Sequence, residues 1–205
     1  MIHYVINKKI SIKYFSILFF LSLVISNQLI PIVETYESGN IKNIYYHRKR
    51  SNGIEKIKLE QYYENGFIRE QGTFKDGEKD GKWIYWYENG EKRSEGKYKR
   101  GAKDGFWVGW YANGVKQGEV TWKGGKEEGL WIIWHENGEM NKELIWKDGK
   151  KNGFTTEWWN NGQKHLEGTW ENNKKNGTWT YWYENGEIFK DEIHKKGKLI
   201  NEKWY

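Results

Sequence analysis

Residues 81–105 read GKWIYWYENGEKRSEGKYKRGAKDG. An aromatic and β-branched run, Trp83-Ile84-Tyr85-Trp86-Tyr87, stops at Glu-Asn-Gly. A more polar return, Glu91 to Tyr98, stops at Lys-Arg-Gly-Ala-Lys-Asp-Gly. Such runs suit a pleated, half-buried surface, and Asn-Gly between them signals a hairpin. A type I′ turn is expected there, with φ > 0 at both Asn and Gly. The stretch therefore predicts two short antiparallel strands with a turn at each end.

The same stretch returns down the chain. Asn-Gly occurs at 65–66, 89–90, 113–114, 137–138, 161–162 and 185–186, every interval being 24 residues. Gly53, Gly77, Gly101, Gly125, Gly149, Asn173 and Gly197 keep the same period. So do Gly81, Gly105, Gly129, Gly153 and Gly177, with Asn201 in the last slot. Asn stands where Gly would supply a positive φ, so Asn173 and Asn201 are expected to share that conformation. A fixed period of this kind marks a repeat architecture in which each unit packs on its neighbours. The fold class that follows is all-β: an elongated single-layer antiparallel meander of tandem 24-residue hairpins. The repeat domain is expected over 36–205, about six to seven units with atypical ends. The first unit carries a longer basic hairpin loop, HRKRSNG, at 47–53.

Aromatic positions suggest how the strands lie. Tyr62, Trp86, Trp110, Trp134, Trp158 and Trp182 occupy one slot, and Phe74, Tyr98, Trp122, Trp146 and Trp170 another on the alternate strands. Equivalent slots in successive units should be roughly 10 Å apart. If the two sets share a face, their rings interleave into one column that replaces a conventional core.

YKRGAKDGFW, with Tyr98, Gly101, Gly105 and Trp107, and WKDGKKNGF, with Trp146, Gly149 and Gly153, resemble the MORN (membrane occupation and recognition nexus) repeat. The Glu-Asn-Gly turns resemble its bacterial variant, often labelled a YwqK-type antitoxin. The second glycine of the family's Gly-x-Gly pair is replaced here by Trp83, Trp107, Trp131 and Trp179, and by Thr155. The resemblance implies an elongated sheet that binds or scaffolds without catalysis. It implies protein–protein contact most often, lipid association for the name-giving members, and capture of a cognate toxin under the antitoxin label.

The N-terminus differs in kind. Lys8, Lys9 and Lys13 precede an uncharged apolar stretch from Tyr14 to Ile25. That length suits a signal-peptide core and is short for a membrane span. Val24 and Ser26 fit a cleavage after Ser26, and a retained anchor is the alternative. Residues 1–26 are read as signal peptide or anchor and 27–35 as linker, so the protein is expected to be exported: periplasmic, secreted, or anchored facing out. Without Lys8, Lys9 and Lys13 the chain carries 31 basic against 28 acidic residues, a mixed surface rather than a nucleic-acid footprint.

With no cysteine, thiol nucleophiles, disulfides and thiolate metal sites are excluded. The histidines, His3, His47, His135, His165 and His194, show no metal-ligand spacing. His135 stands where Tyr87 and Tyr111 stand in other units, and His194 where Trp170 stands; both are expected to be packing substitutes. Glu64, Glu88, Glu136 and Glu184 fill a repeated turn slot, whereas catalysis needs one unique constellation. No catalytic residue, cofactor or metal is expected. The candidate binding surface is the row Trp86, Trp110, Trp134, Trp158 and Trp182. Its expected occupant is a protein partner, with membrane lipid or envelope glycan as the alternative and no nucleic acid.

Overall fold

The computed structural model describes residues 28–205, so the expected signal or anchor segment 1–26 lies outside the described residues. Among the described residues there are only strands and turns. The strands are β1 (Leu29–Thr35), β2 (Ile41–Arg50), β3 (Gly53–Tyr62), β4 (Ile68–Lys75), β5 (Glu78–Trp86), β6 (Lys92–Lys99), β7 (Ala102–Lys103), β8 (Gly105–Trp110), β9 (Lys116–Lys123), β10 (Lys126–Trp134), β11 (Met140–Lys147), β12 (Lys150–Trp158), β13 (Lys164–Glu171), β14 (Lys174–Trp182), β15 (Ile188–Lys195) and β16 (Lys198–Trp204). They form one sheet in sequence order, each strand antiparallel to the next; β7 and β8 are one strand interrupted at Asp104. The 24-residue period thus yields an open single-layer meander. Leu29–Thr35, within the expected linker, already pairs with β2 as the first edge strand.

The Asn-Gly turns are not of the expected type, whereas the other turns have the expected positive φ, Asn173 included. At Tyr87–Gly90 the Gly90 N–H donates to Tyr87 O at 3.0 Å, and the Tyr87 N–H donates to Glu91 O at 2.8 Å. Only Gly90 is left-handed, with φ 89°, and Asn89 is not. This is a type I turn followed by a left-handed glycine, not type I′. Type I′ geometry appears at the other turns, as at Asp76 (φ 53°) with Gly77 (φ 82°) and Asn172 (φ 50°) with Asn173 (φ 66°). Asn201 sits in β16 without a positive φ.

The Asn of Asn-Gly is used for its side chain. Asn89 Oδ1 accepts from the Glu91 N–H at 3.0 Å and closes its own turn. Its Nδ2 donates to Ala112 O in the next turn along. Asn65, Asn113, Asn137 and Asn161 do the same to Glu88, Glu136, Asn160 and Glu184, the five bonds measuring 2.8 to 3.2 Å. One residue per unit therefore both shapes a turn and ties it to its neighbour.

A second ladder runs beside it. Tyr63, Tyr87 and Tyr111 donate their hydroxyls to Trp86 O, Trp110 O and Trp134 O, each at 2.8 Å. Two other residue types continue the series: His135 Nε2 meets Trp158 O at 3.0 Å, and Trp159 Nε1 meets Trp182 O at 3.2 Å. The acceptor is a carbonyl, so His135 must carry its proton on Nε2. Nδ1 is then free to accept from Asn141 Nδ2 at 2.9 Å. His135 thus fills a tyrosine position by hydrogen bonding as well as by shape.

Candidate functional site

Alternation along each strand gives the sheet two unlike faces. Trp83 is opposite Gly72 on β4 and Gly96 on β6, and Tyr85 opposite Glu70 and Ser94. Lys82, Ile84 and Trp86 lie between them and point the other way. The aromatic slots identified from sequence are therefore on opposite faces, and the expected interleaved column of Trp86-type and Phe74-type rings does not form. Three residues is an odd offset, so Trp83 and Trp86 cannot share a face.

On the first face, the Phe74-type rings pack against the Trp83-type rings. Phe74–Trp83, Tyr98–Trp107 and Trp170–Trp179 meet edge to face at 5.2, 5.1 and 4.9 Å between centroids. This is the preferred geometry for ring quadrupoles. Trp83 is fully buried in a sheet only one layer thick. It lies flat over Gly72, where a Cβ would come within 2.1 Å of the indole; Trp107 covers Gly96 and Trp179 covers Gly168 in the same way. Lys79 Nζ caps the Trp83 ring at 3.6 Å and donates to the Tyr85 hydroxyl at 3.1 Å. Burial raises the Tyr98 phenol, which shares a hydrogen bond with Tyr85.

At the C-terminal end of this face the packing becomes ionic. Glu192 accepts from Lys190 Nζ at 2.6 Å, Tyr181 Oη at 2.7 Å, His194 Nε2 at 2.9 Å and Lys175 Nζ at 3.0 Å. Burial pushes its carboxyl up, but these donors outweigh it and hold the group well below the usual carboxylate range. Sequence reading placed His194 as a substitute for a ring; it is a member of this cluster. Among the described residues no group of acids and histidines is arranged to hold a metal ion.

The second face carries the predicted row Trp86, Trp110, Trp134, Trp158 and Trp182, all half-buried. Lysines lie over three of the rings: Lys92 over Trp110 at 5.6 Å, Lys116 over Trp134 at 4.9 Å and Lys164 over Trp182 at 5.4 Å. Each lysine also pairs with a glutamate three residues on: Glu95 and Glu119 at 3.0 Å, and Glu167 at 2.6 Å. The row is thus studded with neutralised ion pairs rather than free cations.

Sequence reasoning did not single out the ridge beside this row. Phe106, Leu130 and Phe154 are exposed to 56%, 49% and 52%. They pair across the strands with Thr121, Ile145 and Thr169. On the same strands and face, Phe106 is followed by Val108 and Trp110, Leu130 by Ile132 and Trp134, and Phe154 by Thr156 and Trp158. The signal was present in the 24-residue register: the position is Lys82 and Thr178 in flanking units, but Phe, Leu and Phe in the three middle ones.

These features define an open, single-layer β-repeat protein whose rings pack on one face while the other presents an apolar ridge. The MORN repeat variant family matches at residues 57–76, 79–100, 127–148 and 175–196, so these stretches of the chain are MORN-type repeats. No curated protein matches it. Among solved structures, 34 chains are similar. One, a protein of unknown function from Bacteroides fragilis NCTC 9343, is 11% identical over 87% of this chain and 92% of its own. Its TM-score of 0.18 is too low to bear on the fold.

Proposed function

We propose that the protein is a non-enzymatic scaffold that binds a protein partner outside the cytoplasm through the Phe106–Leu130–Phe154 ridge and the adjoining row Trp86, Trp110, Trp134, Trp158 and Trp182. The ridge is the observation that carries this reading. A row of large apolar side chains left half-exposed on an ordered sheet is the usual mark of an interaction surface. Half-buried tryptophans flanking them supply rigid anchors. Export rests on the apolar segment within residues 1–26. A cognate toxin is one instance of such a partner.

Affinity capture from the native host tests the reading, using the full chain beside a Phe106→Ser/Leu130→Ser/Phe154→Ser variant. These side chains are exposed, so the variant keeps the sheet. A stoichiometric protein held by the parent chain and lost by the variant is the expected result. Retention of only envelope lipid or glycan would transfer the role to a peripheral envelope binder. The pairing of Lys92, Lys116 and Lys164 with glutamates weighs against that alternative, since an anionic surface would compete with those carboxylates.

A further inference from the structure

The ring-packed face has a gap. Between Trp107 and Trp131 lies a hollow of about 390 Å³, walled also by Lys103, Trp122, Ser94 and Gln117. Its origin is a departure from the repeat. The position occupied by Tyr85 and Tyr181 in other units is Gly109, directly paired with Gly118.

The flanking unit shows what would fill it. The Tyr85 ring sits between Trp83 and Trp107, 6.2 and 6.3 Å from their centroids and within about 30° of parallel. Its hydroxyl lies 3.1 Å from Lys79 Nζ and 3.2 Å from the Tyr98 hydroxyl. Near the C-terminus, Tyr181 likewise accepts from its own lysine, Lys175. Moved on by one 24-residue unit, Trp83 becomes Trp107, Trp107 becomes Trp131, Lys79 becomes Lys103 and Tyr98 becomes Trp122. Both tryptophans and the lysine are kept, while the Tyr85 ring and the Tyr98 hydroxyl are missing. Lys103 Nζ rests over Trp107 and Trp122 at 4.3 and 4.6 Å, desolvated enough that burial lowers its pKa.

We infer that this hollow is a binding site for a 4-hydroxyphenyl group, which stacks between Trp107 and Trp131 and accepts a hydrogen bond from Lys103 Nζ. The site lies on the face opposite the Phe106–Leu130–Phe154 ridge and stands independently of the function proposed for that ridge. Its volume falls in the range of small-molecule pockets, and its lining has their character of apolar walls with a few placed polar groups.

Calorimetric titration of the full chain with p-cresol, the side chain of tyrosine as a free molecule, tests the assignment. Saturable binding is expected for the parent chain and its loss in Gly109→Tyr, where the protein supplies its own ring. That variant has room to fold: Gly109 has no positive φ, and a Cβ there meets its nearest neighbours, Arg93 O and Gln117 Oε1, at 3.6 Å. Lys103→Met should weaken binding about threefold to tenfold, the worth of one hydrogen bond. Equal binding of N-acetyl-L-tyrosinamide would assign the ring to a peptide tyrosyl group; binding of p-cresol alone would assign it to a free phenol. No saturable binding by the parent chain, or undiminished binding by Gly109→Tyr, overturns the inference.

Discussion

Gly72 with Trp83 and Leu144 with Thr155 occupy the same two repeat positions on facing strands, and they solve the same problem with opposite volumes. In the first pair a bare backbone accepts a whole indole, whose Nε1–H donates to Thr73 O at 3.0 Å. In the second, the large residue has moved to the other strand. Leu144 and Thr155 are exposed to 3% and 1%, and Thr155 Oγ1 donates to Glu143 O at 2.7 Å. The total filling the gap is kept while its owner changes. This teaches that the constraint acts on the pair, as expected of a packed interior. A third solution closes the array: the position is Glu192, packed by hydrogen-bond donors instead of a ring.

The largest effect should come from emptying the first pair. Trp83→Ala removes the indole at 0% exposure and should cost about 3–5 kcal/mol in urea unfolding. Thr155→Ala, which loses a hydroxyl bond and a methyl group, should cost only about 1–2 kcal/mol. Similar losses at both sites would break the claim that volume sits on opposite strands.

Exchanging the two solutions comes next. Gly96→Leu drives a side chain into Trp107, which lies 2.2 Å from the position of its Cβ, and should destabilise by about 1–3 kcal/mol. Adding Trp107→Thr recreates the Leu144–Thr155 combination and should recover part of the loss. A double-mutant cycle with no coupling would show that the two positions do not act as a pair.

The smallest effect concerns the ionic solution, and it is read as a slope against pH. Although burial opposes it, the donors around Glu192 lower its folded pKa below the unfolded value of about 4.3. Its stabilisation is therefore complete above that value and is lost as the pH falls below it towards the folded pKa. Glu192→Gln should flatten the acid limb of stability measured between about pH 5 and 2, relative to the parent chain. An unchanged limb would show that the cluster does not hold the carboxylate charged. Tyr62, at the other end of the sheet, is pushed up to about 12 by burial and by Glu60, and stays a neutral donor throughout that range.

Much of this architecture could be read without coordinates. The 24-residue spacing of Asn-Gly and the aromatic runs dictate short antiparallel strands joined in order, because local pairing needs no information from distant parts of the chain. The match to the MORN repeat variant over four stretches follows from the same local pattern. The predicted tryptophan row does lie together on one face.

What depends on two strands at once was not legible in either. The tie from the Asn89 side chain to Ala112 O joins two turns of different units. The aromatic sets separate onto opposite faces because Phe74 follows Gly72, which pairs with Trp83, while Trp86 lies an odd number of residues from Trp83. That pairing belongs to the sheet, not to either strand alone. The Phe106 ridge and the Gly109 hollow arise where one unit departs from the period, and a departure acquires meaning only beside the neighbours that keep it. Local propensity and periodicity, which act along the chain, determined the strands and their order. Side-chain volume and hydrogen-bond partners, which act across strands, decided which face each residue serves and where the surface was left open.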